Sequence, residues 1–310
     1  MSPALLLGLV LLATFGLVGL MLSGLLALAW SAGLERLSAT SVDLLGLRLL
    51  PSAGALLIAL TVVLPAFLSF EPHREHEAAG PLVIVLAALA AAGLAGGIWR
   101  GWRACRAARA LLDCCRPGAD RVGHDMVHVV EVAQPLVAVI GAWRPRIVTT
   151  ESVRAACNAE EFRAVLAHEA AHLAARDNLK LLMLLAAPDA LALTRVGTLL
   201  TDRWRAAAEC EADQRATAGD SERRLALASA LIKVARLLER RGAPHPALGM
   251  PVAADDVPGR VQALLAPPAP HARGRILAAL ATGALLLPLL ALPGYARLHE
   301  LMEQLIAFGR

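Results

Sequence analysis

His168-Glu169-Ala170-Ala171-His172 is the stretch on which the reading of this chain turns. It lies in a run from Asn158 to Leu173 whose apolar residues Ala159, Phe162, Val165, Leu166 and Leu173 recur at helical spacing. On a helix, residues i and i+4 share a face. Two imidazoles on one face can grip one metal ion, and the carboxylate beside them can reach a neighbouring water. The spacing therefore predicts half of a zinc site, with His168 and His172 as ligands and Glu169 as general base.

A third protein ligand is needed, and Glu209-Cys210-Glu211-Ala212-Asp213 offers it. On a helix Glu209 and Asp213 share a face, so Glu209 would bind the metal. Asp213 could then accept a hydrogen bond from a ligand histidine and fix its tautomer. Glu211 competes, because it lies about 200° around the helix from Glu209 and only one of the two can face the metal. Spacing does not choose between them. Asp177, just beyond the first helix, is a further candidate to support the site from behind. The chemistry expected is hydrolysis at one zinc ion per chain. Zinc acidifies water, Glu169 takes a proton from it, and the same carboxyl group returns the proton to the leaving amine. Of the other histidines, His73, His76, His124 and His128 lack this arrangement and read as ordinary polar residues.

The surroundings point to a membrane. Of 310 residues, 57% are hydrophobic and only 18% charged, against roughly 25% in soluble domains. Residues 1–99 hold three Arg and five Asp or Glu, whereas 100–275 hold 25 Lys or Arg and 19 Asp or Glu. Uncharged runs at about 3–30, 49–70, 81–99 and 276–296 are long enough to cross about 30 Å of hydrocarbon as helices. The first run is too long for a signal peptide and lacks a basic start, so it reads as a retained span. Arg100, Arg103, Arg106, Arg109, Arg116 and Arg121 follow the third run, and Arg273 and Arg275 precede the fourth. By the positive-inside rule, residues 100–275 face the cytoplasm and both termini lie outside. The basic surplus is explained by topology, so no direct nucleic-acid contact is expected. The five cysteines all lie in 100–275 and read as reduced thiols.

The expected fold is α+β, mainly helical: a four-span membrane protein with a gluzincin-type domain at 100–275 and a short tail at 297–310. A basic helix runs to about Arg116, and strands fall within Val127 to Val139 and Arg146 to Thr150. Helices follow at about 159–177, 201–218 and 221–241, with two helices in 179–200 that pack in the domain or dip toward the bilayer. Residues 242–259 read as a linker.

These residues resemble the BlaR/MecR family of integral-membrane zinc metallopeptidases. The resemblance rests on Gln134 to Gly141 with Arg144 to Val148, on Glu160 to His172 with Arg176-Asp177-Asn178, on Glu209 to Asp213, and on Ala228 to Ala235 and Gly259 to Leu265. It implies Glu209, rather than Glu211, as the third ligand. It also implies signal transduction in a bacterial inner membrane, with a cytoplasmic winged-helix repressor as the cleaved partner, and it allows a homo-oligomer. Two departures stand out. Residues 297–310 are too few for a penicillin-binding sensor domain, and Ala186-Ala-Pro-Asp-Ala190 replaces a tryptophan-containing segment. A quality-control membrane protease of the HtpX type shares both motifs and is the alternative. A non-catalytic membrane signalling scaffold is the alternative of a different class.

Overall fold

The computed structural model describes residues 2–34, 39–70, 79–115, 120–122, 125–241 and 257–266. These divide into two compact units. One comprises the described residues up to 99 together with 184–203, and the other those of 100–183 and 204–266.

The first unit is helical. α1 spans Pro3–Ser31, with Ser2 as its cap and proline at the first helical position, where a missing N–H costs nothing. α2 spans Ser41–Ile58 and starts from a reciprocal capping box between Thr40 and Asp43. A π-helical stretch, Ala59–Val63, leads into α3, Leu64–Phe70. Pro65 follows this widened turn, which makes room for a ring that would crowd the carbonyl four residues back. α4 runs unbroken over Pro81–Asp113. The helices Pro3–Ser31, Ser41–Ser69 and Pro81–Asp113 are long and apolar enough to cross a membrane. The second of these starts earlier than the expected 49, because the Thr40 cap begins a helix in what reads as a loop. The expected fourth span at 276–296, the tail at 297–310 and the loop holding His73 and His76 lie outside the described residues.

The segment 184–203 falls in the same compact unit as these helices. It holds a turn of 3-10 helix, Ala190–Leu193, between two α-helices. The reason lies in long-range contacts, polar as well as apolar. Asp189, 8% exposed, accepts bonds from Arg48 Nη1 at 2.9 and 3.0 Å and a short one from Ser52 Oγ. Gly93 and Gly97 on α4 admit the passing backbone. A Cβ on Gly93 would lie 3.2 Å from the Pro188 carbonyl oxygen, and one on Gly97 would overlap that of Ala186. Trp30, near the end of α1, is 4% exposed under the Arg203 guanidinium, 5.3 Å from the ring centre.

The second unit is built on a four-stranded sheet of order β1-β2-β4-β3. β1 is Asp120–Val122, β2 Asp125–Val129, β3 Val137–Ile140 and β4 Arg146–Thr149. β2 and β4 pair in parallel, and the other two pairings are antiparallel. Alternation along the strands sorts the two faces. Val127, Val139 and Ile147 pack on Phe162 and Leu166 of α6, Ala159–Ala175. Ala138, Ile140 and Val148 pack on the other side with Ala108 of α4. α5, Glu151–Ala156, precedes α6. α7, Asp177–Ala186, and α8, Arg195–Thr217, follow it. α9 spans Ser221–Arg241 and α10 Val257–Leu265. α10 occupies residues read as the end of a linker. Val257 and Leu264 are buried against Leu227, Leu231 and Val234 of α9, which is what turns this polar-flanked stretch into a helix.

Candidate metal centre

α6 begins with a strong local signal. The Asn158 side chain accepts from the Glu160 and Glu161 amides, and the Glu161 carboxylate accepts from the Asn158 amide. Glu161 is 5% exposed and also accepts from Ser229 at 2.7 Å and Lys233 at 2.6 Å. Burial pushes its carboxyl up, but the bonds from Lys233, Ser229 and Asn158 outweigh this and hold it below the usual range. The helix start is thereby pinned to α9. Arg176 ends α6 in the left-handed conformation, φ 55° and ψ 40°, and turns the chain into α7.

His168, Glu169 and His172 are all buried on α6, and Glu209 and Asp213 are buried on α8. The Nε2 atoms of His168 and His172 are 3.1 Å apart. Glu209 places Oε2 at 3.4 Å from His168 Nε2 and Oε1 at 3.5 Å from His172 Nε2. Tetrahedral zinc with ligand bonds of about 2.0–2.1 Å needs donor separations of about 3.3–3.4 Å. The two imidazole nitrogens and the Glu209 carboxylate therefore lie close enough together to hold one such ion. Glu211 points elsewhere and pairs with Arg215 at 3.0 Å.

Each histidine meets a carboxylate on its far side. His172 Nδ1 bonds Asp177 Oδ2 at 2.8 Å, and His168 Nδ1 lies 2.9 Å from Asp213 Oδ1. Such carboxylates hold the rings so that Nε2 faces the metal. Lys180 donates to Asp177 Oδ1 at 2.8 Å. Glu169, 1% exposed, has one carboxylate oxygen, Oε2, without a hydrogen-bond partner among the described residues.

Arg260 of α10 is the site residue that sequence reasoning missed. Its Nε and Nη2 donate to Asp213 at 2.9 and 2.7 Å, and its Nη1 lies 2.7 Å from Glu209 Oε2. One guanidinium thus holds the metal-facing carboxylate and the carboxylate behind His168 together. The position lies 47 residues beyond Asp213, so only tertiary packing brings it in.

Charge balance gives a second test of fit. Four buried carboxylates, Glu169, Asp177, Glu209 and Asp213, face two permanent cations, Arg260 and Lys180. With neutral imidazoles, a divalent cation closes that gap. Without one, protons do so. Burial pulls His172 down, but the Asp177 and Glu209 carboxylates outweigh it and push the imidazole up to about 10. Burial, helped by the Glu209 carboxylate, drives the Glu169 carboxyl upward, while the two histidines and the Val139 backbone oppose it. Burial also raises the Glu209 carboxyl, yet His168, His172 and Arg260 hold it well below the usual carboxylate range.

Of the remaining histidines, His128 sits on β2 away from this cluster, and His124 lies outside the described residues. The five cysteines are free thiols.

Residues 124–249 match the sequence model of Peptidase family M48. No curated protein and no solved structure matches the chain. The match contains α6 and α8 and stops short of α10. The segment bearing His168, Glu169, His172 and Glu209 is therefore similar to a family of zinc metallopeptidases, and it is joined in this chain to three helices apolar enough to span a membrane.

Proposed function

We propose that this chain is a membrane-anchored zinc endopeptidase that cuts a cytoplasmic protein. The observation that carries the reading is the close grouping of His168, His172 and Glu209 beside an unpartnered, buried Glu169 oxygen. Bound zinc would supply Lewis acidity for a carbonyl and for water. Glu169 lies next to the metal-facing nitrogens, where its raised proton affinity suits a general base. It takes a proton from the attacking water and delivers it to the departing amine, so that no proton is lost to solvent. Asp177 and Asp213 keep His172 and His168 in register, and Arg260 keeps Glu209 and Asp213 ionised.

The exposed Arg103, Arg106 and Arg109 along α4 support a cytoplasmic position for residues 100–183 and 204–266. The resemblance to BlaR/MecR proteins favours a winged-helix repressor as substrate and a role in transmembrane signalling. The match to Peptidase family M48 names no repressor and favours a second reading, quality control of membrane proteins.

The test uses the full-length protein in detergent, with a candidate repressor and an unfolded membrane protein as alternative substrates. Glu169→Gln should keep its zinc and lose about 10²- to 10⁴-fold in turnover. A variant that cuts as well as the parent would sink the peptidase reading. Cleavage of the repressor at one bond supports signalling, and progressive degradation of the unfolded protein supports quality control.

A further inference from the structure

We infer that the β3–β4 turn, residues 141–145, is a lipid-docking surface that rests the Trp143 indole and the Arg144 guanidinium in the headgroup layer of an anionic bilayer. The inference rests on the membrane part of the reading above, because it takes α4 as a span, and it is independent of the peptidase chemistry.

Trp143 is 76% exposed, whereas Trp30 and Trp204 are 4% and 0% exposed. Single exposed apolar side chains are common on protein surfaces, so exposure alone decides nothing. Composition adds the first direction. Gly141-Ala-Trp-Arg-Pro-Arg146 carries an indole and two guanidinium groups and no acid. An indole is favoured at a bilayer boundary, where its apolar body meets acyl chains and its N–H meets headgroups. Arginine beside it matches lipid phosphate. Arg144 is exposed like Trp143.

The position of the turn along α4 adds the second. From Arg100 onward α4 belongs to the same compact unit as the sheet. Its C-terminal end meets one end of that sheet. Cys115 bridges Val130, and the Glu131 amide donates to the Cys114 carbonyl at 3.1 Å. The Val130 amide donates at 2.9 Å to the carbonyl of Thr149, the last residue of β4. The β3–β4 turn lies at the other end of β4 and so points back along α4. Gly141 and Ala142 accordingly line one cleft with Ala104 and Cys105. The apolar run of α4 ends at Trp99, which puts these positions only about 8 Å further along the helix. A headgroup layer is about 5–8 Å deep on each side of the hydrocarbon. Arg103 and Arg106 are exposed on α4 at this level and add charge of the sign that anionic lipid attracts. Met126 precedes Val127, the partner of Ile147, so it stands at the same end of the sheet, and it is 50% exposed.

Stiffness adds the third. Gly141 turns the chain with φ of 96°, and a Cβ there would lie 3.2 Å from the Arg144 carbonyl oxygen. Asn178 Nδ2 donates to the Val139 carbonyl at 2.7 Å and to the Gly141 carbonyl at 3.1 Å. A turn braced in this way loses little freedom when it docks. Val139 and Ile147 pack on Phe162 and Leu166 of α6, so a docked turn also steadies the helix that carries His168 and His172.

The test places the full-length protein, labelled with fluorotryptophan, in nanodiscs of phosphatidylcholine and phosphatidylglycerol in equal parts. Trp143→Phe and Trp99→Phe assign two of the fluorine resonances. A lipid with a nitroxide near its headgroup broadens nuclei in the headgroup layer, and a water-soluble gadolinium chelate broadens nuclei in water. Trp143 should lose its resonance to the nitroxide lipid and be shielded from the chelate, as Trp99 should. Arg144→Glu should weaken docking about fivefold or more, read as recovery of the Trp143 resonance beside the nitroxide lipid. A Trp143 resonance that the chelate removes and the nitroxide lipid spares overturns the proposal, and leaves the indole facing water or a soluble partner. Full broadening by the nitroxide lipid in Arg144→Glu overturns it as well. If Trp99 also ignores the nitroxide lipid, the reading of α4 as a span fails, which separates that failure from one confined to Trp143.

Discussion

Each unit of this chain buries a charged cluster, and the two clusters are built differently. Beside the apolar helices, Arg48 meets Asp189, which also accepts from Ser52. One cation faces one anion, and the cluster is closed. In the other unit Glu169, Asp177, Glu209 and Asp213 face Arg260 and Lys180, and the cluster is short of two positive charges. A closed pair holds chain segments together. An open one attracts something else. Taking charges out of water is costly in both places, so the comparison separates a structural use of buried charge from a ligand-binding one.

The largest expected effect tests the open cluster. Glu209→Ala should drop zinc from one ion per chain to near none by elemental analysis and remove detectable proteolysis, because two histidines alone make a weak site. Full zinc content in that variant would remove Glu209 from the ligand set. The closed cluster comes next. Asp189→Ala strands the Arg48 guanidinium and should cost about 3–5 kcal/mol in unfolding, whereas Arg48→Met with Asp189→Leu should recover most of it. A double variant as unstable as the single one would show that the pair does more than cancel charge. The smallest effect is at Glu161. Its folded-state carboxyl titrates below its unfolded value, so the ion stabilises the fold above the ordinary carboxylate range, and that contribution fades as pH falls through the folded value. Glu161→Gln should therefore cost about 1 kcal/mol at neutral pH, given that Lys233 is 40% exposed and screened. The gap from the parent should close in acid. A gap that widens in acid would reverse the assigned sign.

Much of the site was legible because its signals are local. His168, Glu169 and His172 lie within five residues, and the Asn158–Glu161 box marks where their helix starts. Glu209 and Asp213 were legible as a pair on one face, although spacing left Glu211 in play. Only the packing of α8 turned Glu211 outward to Arg215. Strands β2 and β3 followed from the valine-rich run at Val127 to Val139 and β4 from the short stretch at Arg146 to Thr150, while β1 has too short a signal to read. The segment 179–200 was ambiguous because its apolar run is broken by Lys180, Pro188, Asp189 and Arg195. Its partner for Asp189 stands 141 residues earlier, so no window of sequence contains the explanation.

The sequence by itself determined the apolar helices and the pairing of two histidines with a neighbouring carboxylate, since both depend on a repeat of 3.6 residues and on side-chain chemistry. Tertiary structure alone decided how the site is completed. Arg260 reaches Glu209 and Asp213 because Val257 and Leu264 bury α10 against α9. Asn178 reaches Val139 and Gly141 because Arg176 reverses the chain beneath the sheet edge. Charges and donors that meet across such distances are selected by packing and desolvation, and neither leaves a periodic trace along the chain.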